Sequence, residues 1–230
     1  MRDAKLPRAT ATRGIGLAAM LATMLATMLA SCGESSSSPK VSDPSLYEPT
    51  IVREDSPPRK KSASEPRTLR PTTVAGVAMA PQTLLGGKLR LLVPQNFTQM
   101  PDSEVSSLFK GGARPDAVFQ SADKQMFLLV ALLKDPMLPD QVKGGFEATK
   151  KSMLAIYPEC TKRIETLAEV DGRTWMRFDL DGDKRVMAAV TSLDGRTLRV
   201  ETTFVSKPDA KWTEAFKKMW ETAVLVDGHS

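Results

Sequence analysis

The eight residues Met126-Phe127-Leu128-Leu129-Val130-Ala131-Leu132-Leu133 contain no polar side chain. An apolar run of this length, preceded by the turn residues Ala122-Asp123-Lys124, reads as the second strand of a hairpin whose first strand is Ala117 to Ser121. A strand that is apolar on both sides must be covered on both faces. This requirement excludes a sheet with one face in water. It predicts an α+β chain whose sheet has layers above and below.

The layers that would cover such a sheet are visible on either side of the hairpin. Asp140 to Tyr157 is expected to be a helix with Val142, Phe146, Met153 and Tyr157 on one side, closed by Pro158. A second helix is expected from Pro208 to Val224. Its stripe of Trp212, Ala215, Phe216, Met219, Trp220 and Ala223 follows helical spacing, with lysine and glutamate opposite. A first strand over Lys88 to Val93 stops at Pro94. Asp102 is placed to cap a short helix over Ser103 to Phe109, which Gly111-Gly112 would end.

Four further strands lie between the two long helices: Arg163–Val170, Arg173–Leu180, Lys184–Ser192 and Arg196–Phe204. Asp171-Gly172 and Asp194-Gly195 are strong two-residue hairpin turns, so these strands form an antiparallel meander. Arg173, Trp175, Arg177 and Asp179 alternate onto one face. Arg199 and Glu201 are expected to continue that face on a neighbouring strand. A tryptophan flanked by arginines has the composition of a protein-binding hot spot, which makes Trp175, Arg177 and Arg199 candidate partner-binding residues. The competing reading places Trp175 under a helix with the arginines around its rim.

The N-terminus has a different organisation. Arg2, Lys5, Arg8 and Arg13 precede an apolar run from Gly14 to Ala30, which is the layout of a secretory leader. The run closes on Leu29-Ala30-Ser31-Cys32, which resembles a bacterial lipobox at all four positions. The resemblance implies cleavage between Ser31 and Cys32 and a diacylglyceryl group on the Cys32 sulfur. Two or three acyl chains anchor a protein stably. Gly33, rather than Asp, follows the cysteine, which by analogy implies the outer membrane, periplasmic face, or the cytoplasmic membrane in a source that is not Gram-negative. An uncleaved anchor and an ordinary leader cut elsewhere are the alternatives.

Residues 32–82 are expected to form a tether. Ser35 to Ser38, Pro39, Pro44, Pro49 and Pro57-Pro58 punctuate a stretch with few large apolar residues until Val74. Such a segment cannot bury enough surface to offset its ordering entropy. As a flexible coil of about 50 residues it would span about 35–40 Å. Arg59-Lys60-Lys61 is either a solvated cluster or a contact for acidic lipid. The domains expected are therefore a leader over 1–31, a lipidated tether over 32–82 and a folded domain over 83–230.

The folded part carries a second resemblance. Val93-Pro94-Gln95-Asn96-Phe97, Ala117-Val118-Phe119-Gln120-Ser121 and Ser192-Leu193-Asp194-Gly195-Arg196-Thr197-Leu198 stand in the order short helix, hairpin, long helix, four-strand meander and closing helix. This is similar to the PsbP-like fold, which includes Mog-type Ran-binding proteins, DcrB-type envelope lipoproteins and type VI secretion chaperones. The resemblance implies a compact αβα sandwich around a mainly antiparallel sheet that binds other proteins, usually without catalysis. It transfers no functional residue.

Charge and chemistry narrow the function classes. The chain carries a net charge of +5, but about 21 basic and 20 acidic residues follow Pro81, so the folded part is nearly neutral. Nucleic acid is not an expected partner. The lone histidine, His229, stands next to the C-terminus, which argues against imidazole-based catalysis and histidine-rich zinc sites. Ser121-Ala122-Asp123-Lys124 has Ser-x-x-Lys spacing but lacks the companion motifs of penicillin-interacting enzymes. Asp179, Asp181 and Asp183 do not match the EF-hand pattern. Cys160 is expected to be a tolerated thiol. No catalytic residue, metal or cofactor is expected. The expected function is a non-catalytic protein-binding or assembly module, with an envelope or secretion-system protein as partner. A cell-wall or peptide hydrolase and a small-ligand or lipid-binding module are the alternatives.

Overall fold

The computed structural model describes residues 68–110 and 114–226. The leader, Ser31, Cys32, most of the tether, Gly111-Gly112 and His229 lie outside the described residues. The strands are β1 (Thr72–Val74), β2 (Val77–Leu84), β3 (Leu89–Pro94), β4 (Phe97–Gln99), β5 (Ala117–Ser121), β6 (Met126–Pro136), β7 (Lys162–Val170), β8 (Arg173–Asp181), β9 (Arg185–Leu193), β10 (Arg196–Phe204) and β11 (Val224–Leu225). The α-helices are α1 (Asp102–Leu108), α2 (Gln141–Gly144), α3 (Phe146–Ile156) and α4 (Ala210–Glu221).

Seven strands form the main sheet in the order β4-β5-β6-β10-β9-β8-β7, with every neighbouring pair antiparallel. As expected from its composition, β6 is covered on both sides. Met126, Leu128 and Val130 join one core, while Phe127 and Leu129 join another on the opposite face. The first core lies between the main sheet and a layer made of α4 and a small four-stranded sheet, β1-β2-β3-β11. The helical face opposite has two apolar clusters. One gathers Val105 and Phe109 beside β5 and β6, and the other gathers Val142, Met153 and Tyr157 beside β8 and β9.

Three local expectations need correction. The tether does not extend to residue 82, because β1 and β2 already belong to the small sheet. Val77 and Met79 are buried there, although they stand among the small residues Ala75, Gly76, Ala78 and Ala80, which do not announce a core. Pro81 is tolerated because β1 pairs with β2 only as far as Met79, leaving one side of Pro81 without a strand partner. The helix expected over Asp140–Tyr157 is broken at Gly144-Gly145, adjacent residues of low helix propensity, into α2 and α3. Asp102 lies inside α1, with Pro101 at the capping position and no side-chain cap. Its carboxylate instead pairs with Arg114 at 3.1 Å.

The α4 stripe packs as its spacing predicts. Phe216 is fully buried and meets Phe97, Phe204 and Trp212 with ring centroids 5.7–6.4 Å apart. The chain then turns at Thr222 and adds β11 to β3, pairing Val224 with Arg90 and Leu225 with Leu89. This two-residue strand is too short to show periodicity in the sequence.

Candidate protein-binding edge

The main sheet separates the three residues expected to form one binding patch. Trp175 is 1% exposed and lies in the core beneath α4. Arg177 shares that face, opposite Thr166 and Ala189, and is half-buried. Burial lowers the pKa of its guanidinium, against the opposing pull of Glu221 on α4. Arg199 is on the other side: it aligns with Val190, which aligns with Met176, the neighbour of Trp175. Alternation along β8 was therefore readable, but parity between β8 and β10 depends on register across β9. Both Trp175 and Arg199 are enclosed, so they do not form a common exposed hot spot.

Arg199 belongs instead to a buried polar seam between the two helical-face clusters. Arg199 and Glu201 are 7% and 4% exposed and form an ion pair. The Tyr157 hydroxyl, at the end of α3, donates to Glu201 Oε1 at 2.5 Å. Burial raises the Tyr157 pKa well above its usual value, and the Glu201 charge adds to the shift. Burial opposes the charge of Arg199, but Glu201 and Tyr157 together outweigh it and raise its pKa. The three groups satisfy one another where apolar neighbours would otherwise strand a charge.

Other chemistry-bearing residues are also held in structural contacts. Ser121 Oγ donates to Asp123 Oδ1 at 2.5 Å and accepts from the Met126 N–H at 3.0 Å, which fixes the β5–β6 turn. Arg185 makes two bonds to Asp179, at 2.9 and 2.7 Å, and this contact raises the Arg185 pKa. Among the described residues, no group of three or more His, Cys, Asp or Glu side chains is arranged to hold a metal ion. Cys160 is buried, and burial, followed by Glu159 and Asp181, raises its thiol pKa. That is the opposite of nucleophile activation. Gly182 passes so close to this segment that an added Cβ would lie 2.5 Å from the Glu159 carbonyl oxygen.

The exposed candidate is β7. It ends the strand order, pairing with β8 over its full length, and no described strand pairs with its outer side. Alternate residues of an antiparallel edge strand direct backbone N–H and C=O groups outward, ready to accept another strand. Ile164 is 63% exposed and Leu167 43% exposed, one on each face of the strand. Arg163, Thr166 and Glu169 are also exposed. Lys150 on α3 holds Glu165 at 2.6 Å, and Thr174 on β8 donates to Glu169 at 2.6 Å. Leu138, the other large exposed apolar residue among the described residues, is 49% exposed and stands beyond β6, outside the strands. The β7 strand was legible in the sequence, but its edge position follows from the pairing of β6 with β10, a non-local event.

No protein-family profile matches the sequence, and no curated protein matches it. Among solved structures, cyanobacterial PsbP (CyanoP) from Synechocystis sp. PCC 6803 is similar at 11% identity and a TM-score of 0.46, covering 64% of this chain and 92% of that protein. The Saccharomyces cerevisiae Ran-binding protein Mog1p is similar at 13% identity and a TM-score of 0.45, covering 66% and 97%. A protein from Bacteroides thetaiotaomicron VPI-5482 is similar at 10% identity and a TM-score of 0.40, covering 65% of this chain and 49% of that one. Identities and scores at this level transfer no activity, partner or site residue.

Proposed function

We propose that this protein is a lipid-anchored envelope component whose folded part is a non-catalytic module for binding other polypeptides. The observation that carries the binding reading is β7: a nine-residue strand at the sheet edge, with exposed Ile164 and Leu167. Strand addition at such an edge draws affinity from main-chain hydrogen bonds and selectivity from alternate side chains. The envelope reading rests on Leu29-Ala30-Ser31-Cys32 and on the basic and apolar segments before it. Acylation of Cys32 would hold the domain at the periplasmic face of the outer membrane, or at the cytoplasmic membrane of a source with one membrane.

A photo-crosslinking residue placed at Ile164 of the full chain in its native cells tests the binding reading. The expected result is a crosslinked polypeptide, absent when the probe is moved to Lys124 on the β5–β6 turn. No polypeptide captured at Ile164, together with hydrolysis of a cell-wall or peptide substrate by the purified chain, would replace the binding module with an enzyme. Mass spectrometry of the mature N-terminus tests the anchor. An unmodified Cys32 thiol would remove it.

A further inference from the structure

We infer that the occupant of the β7 edge is the β7 strand of a second copy of this chain, paired antiparallel about a twofold axis at Thr166. The inference rests on the binding role of β7 and specifies the polypeptide bound there. Twofold antiparallel pairing keeps each side chain on its own face of the extended sheet, so even-numbered residues oppose even and odd oppose odd. Only a few registers are therefore available.

Centring the axis on Thr166 engages all of β7, Lys162–Val170. It sets Arg163 opposite the partner's Glu169, and symmetry repeats the pair. Ile164 lies against the partner's Ala168, a large apolar side chain over a small one. Leu167 lies against the partner's Glu165, whose carboxylate is already held by Lys150 within its own copy. The neighbouring registers are worse. An axis at Glu165 opposes that residue to its own copy, and an axis at Leu167 opposes Glu165 to the partner's Glu169 twice. Like charges directly opposite in a ladder are destabilising. Moving the axis to Ile164 or Ala168 avoids these clashes but engages only part of the strand. The charges that would keep β7 from pairing indiscriminately are thus complementary to those of a second β7 in its longest register.

The same geometry supplies the test. Directly opposed residues of an antiparallel pair have Cα atoms about 4.5–5.5 Å apart, within the range that a disulfide bridges. Full-length chain carrying Thr166→Cys, in its native membrane and under mild oxidation, is expected to give a disulfide dimer linked through position 166 of both copies. Adding Arg163→Glu is expected to lower the dimer yield about tenfold, because two attractive pairs become repulsive. Adding Glu169→Arg as well is expected to restore the yield. All three positions are exposed, and circular dichroism of each variant confirms that the fold is kept. No dimer through position 166, or failure of the double charge reversal to restore it, overturns the pairing. If the Ile164 probe then captures a different protein or the N-terminal segment of this chain, the occupant is not a second copy but the binding reading stands. If it captures nothing, both fall.

Discussion

At the scale of single residues, Asp123 shows how one carboxylate fixes a turn. Its pKa is lowered first by the Ser121 hydroxyl and then by the Gln125 N–H, both of which donate to it. A carboxylate with a depressed folded-state pKa stabilises the fold above its unfolded pKa. That stabilisation is lost as pH falls through the folded-state value. Asp123 is exposed, so water screens much of this contribution. Asp123→Ala should cost less than about 1 kcal/mol at pH 7, and the difference from wild type should shrink below about pH 4. Thermal unfolding of both proteins at pH 7 and pH 3 measures it. An equal difference at both values would assign the loss to turn geometry rather than charge. The other turns show what sequence reveals at this scale. Asp171-Gly172 and Asp194-Gly195 adopt positive φ at both residues, as their residue types predict. Ala75 does the same at φ 48°, ahead of Gly76. Alanine is not a turn signal, and so the β1–β2 hairpin was hidden within an expected tether.

At the scale of elements, composition was sufficient to predict two-sided covering of β6 and the buried stripe of α4. Alternation along β10 separates Leu198, Val200 and Phe204 from Arg199 and Glu201, but it did not show that the charged face is enclosed. Leu198, Val200 and Phe204 enter the α4-side core, while Arg199 and Glu201 lie between apolar clusters beneath α1 and α3. Read alone, Arg199 and Glu201 continue the candidate binding face of Trp175 and Arg177. Tyr157, which partners Glu201, is separated from it by three strands in the sequence. Removing one member of a buried pair leaves the other charge without compensation, so Arg199→Met and Glu201→Leu should each cost about 3–5 kcal/mol. Replacing both removes the stranded charge, and the double variant should be more stable than either single one. Urea unfolding of the four proteins completes the cycle. Additive losses would mean that the pair is not coupled and that the seam is ordinary packing.

At the scale of the whole molecule, the described part is a sandwich of helices and two antiparallel sheets. Among the described residues no helix is long and apolar enough to cross a membrane. The folded region is also close to neutral in its basic and acidic residues. On the proposed reading, retention at the membrane depends on residues 1–32. Exchanging them for a secretory leader cut by the ordinary signal peptidase should yield a soluble exported chain that keeps the same circular dichroism and unfolding midpoint. Continued sedimentation with membranes would place the anchor elsewhere in the chain. The exchange also bears on the β7 pair. Copies confined to one membrane surface meet at a higher effective concentration than copies free in the same compartment. An edge-to-edge contact of one strand per copy buries little apolar surface beyond Ile164 and Leu167, so its occupancy should depend on that confinement. With Thr166→Cys present, the released chain should form fewer 166-to-166 disulfides than the anchored chain at equal expression. Raising its concentration after purification should restore them.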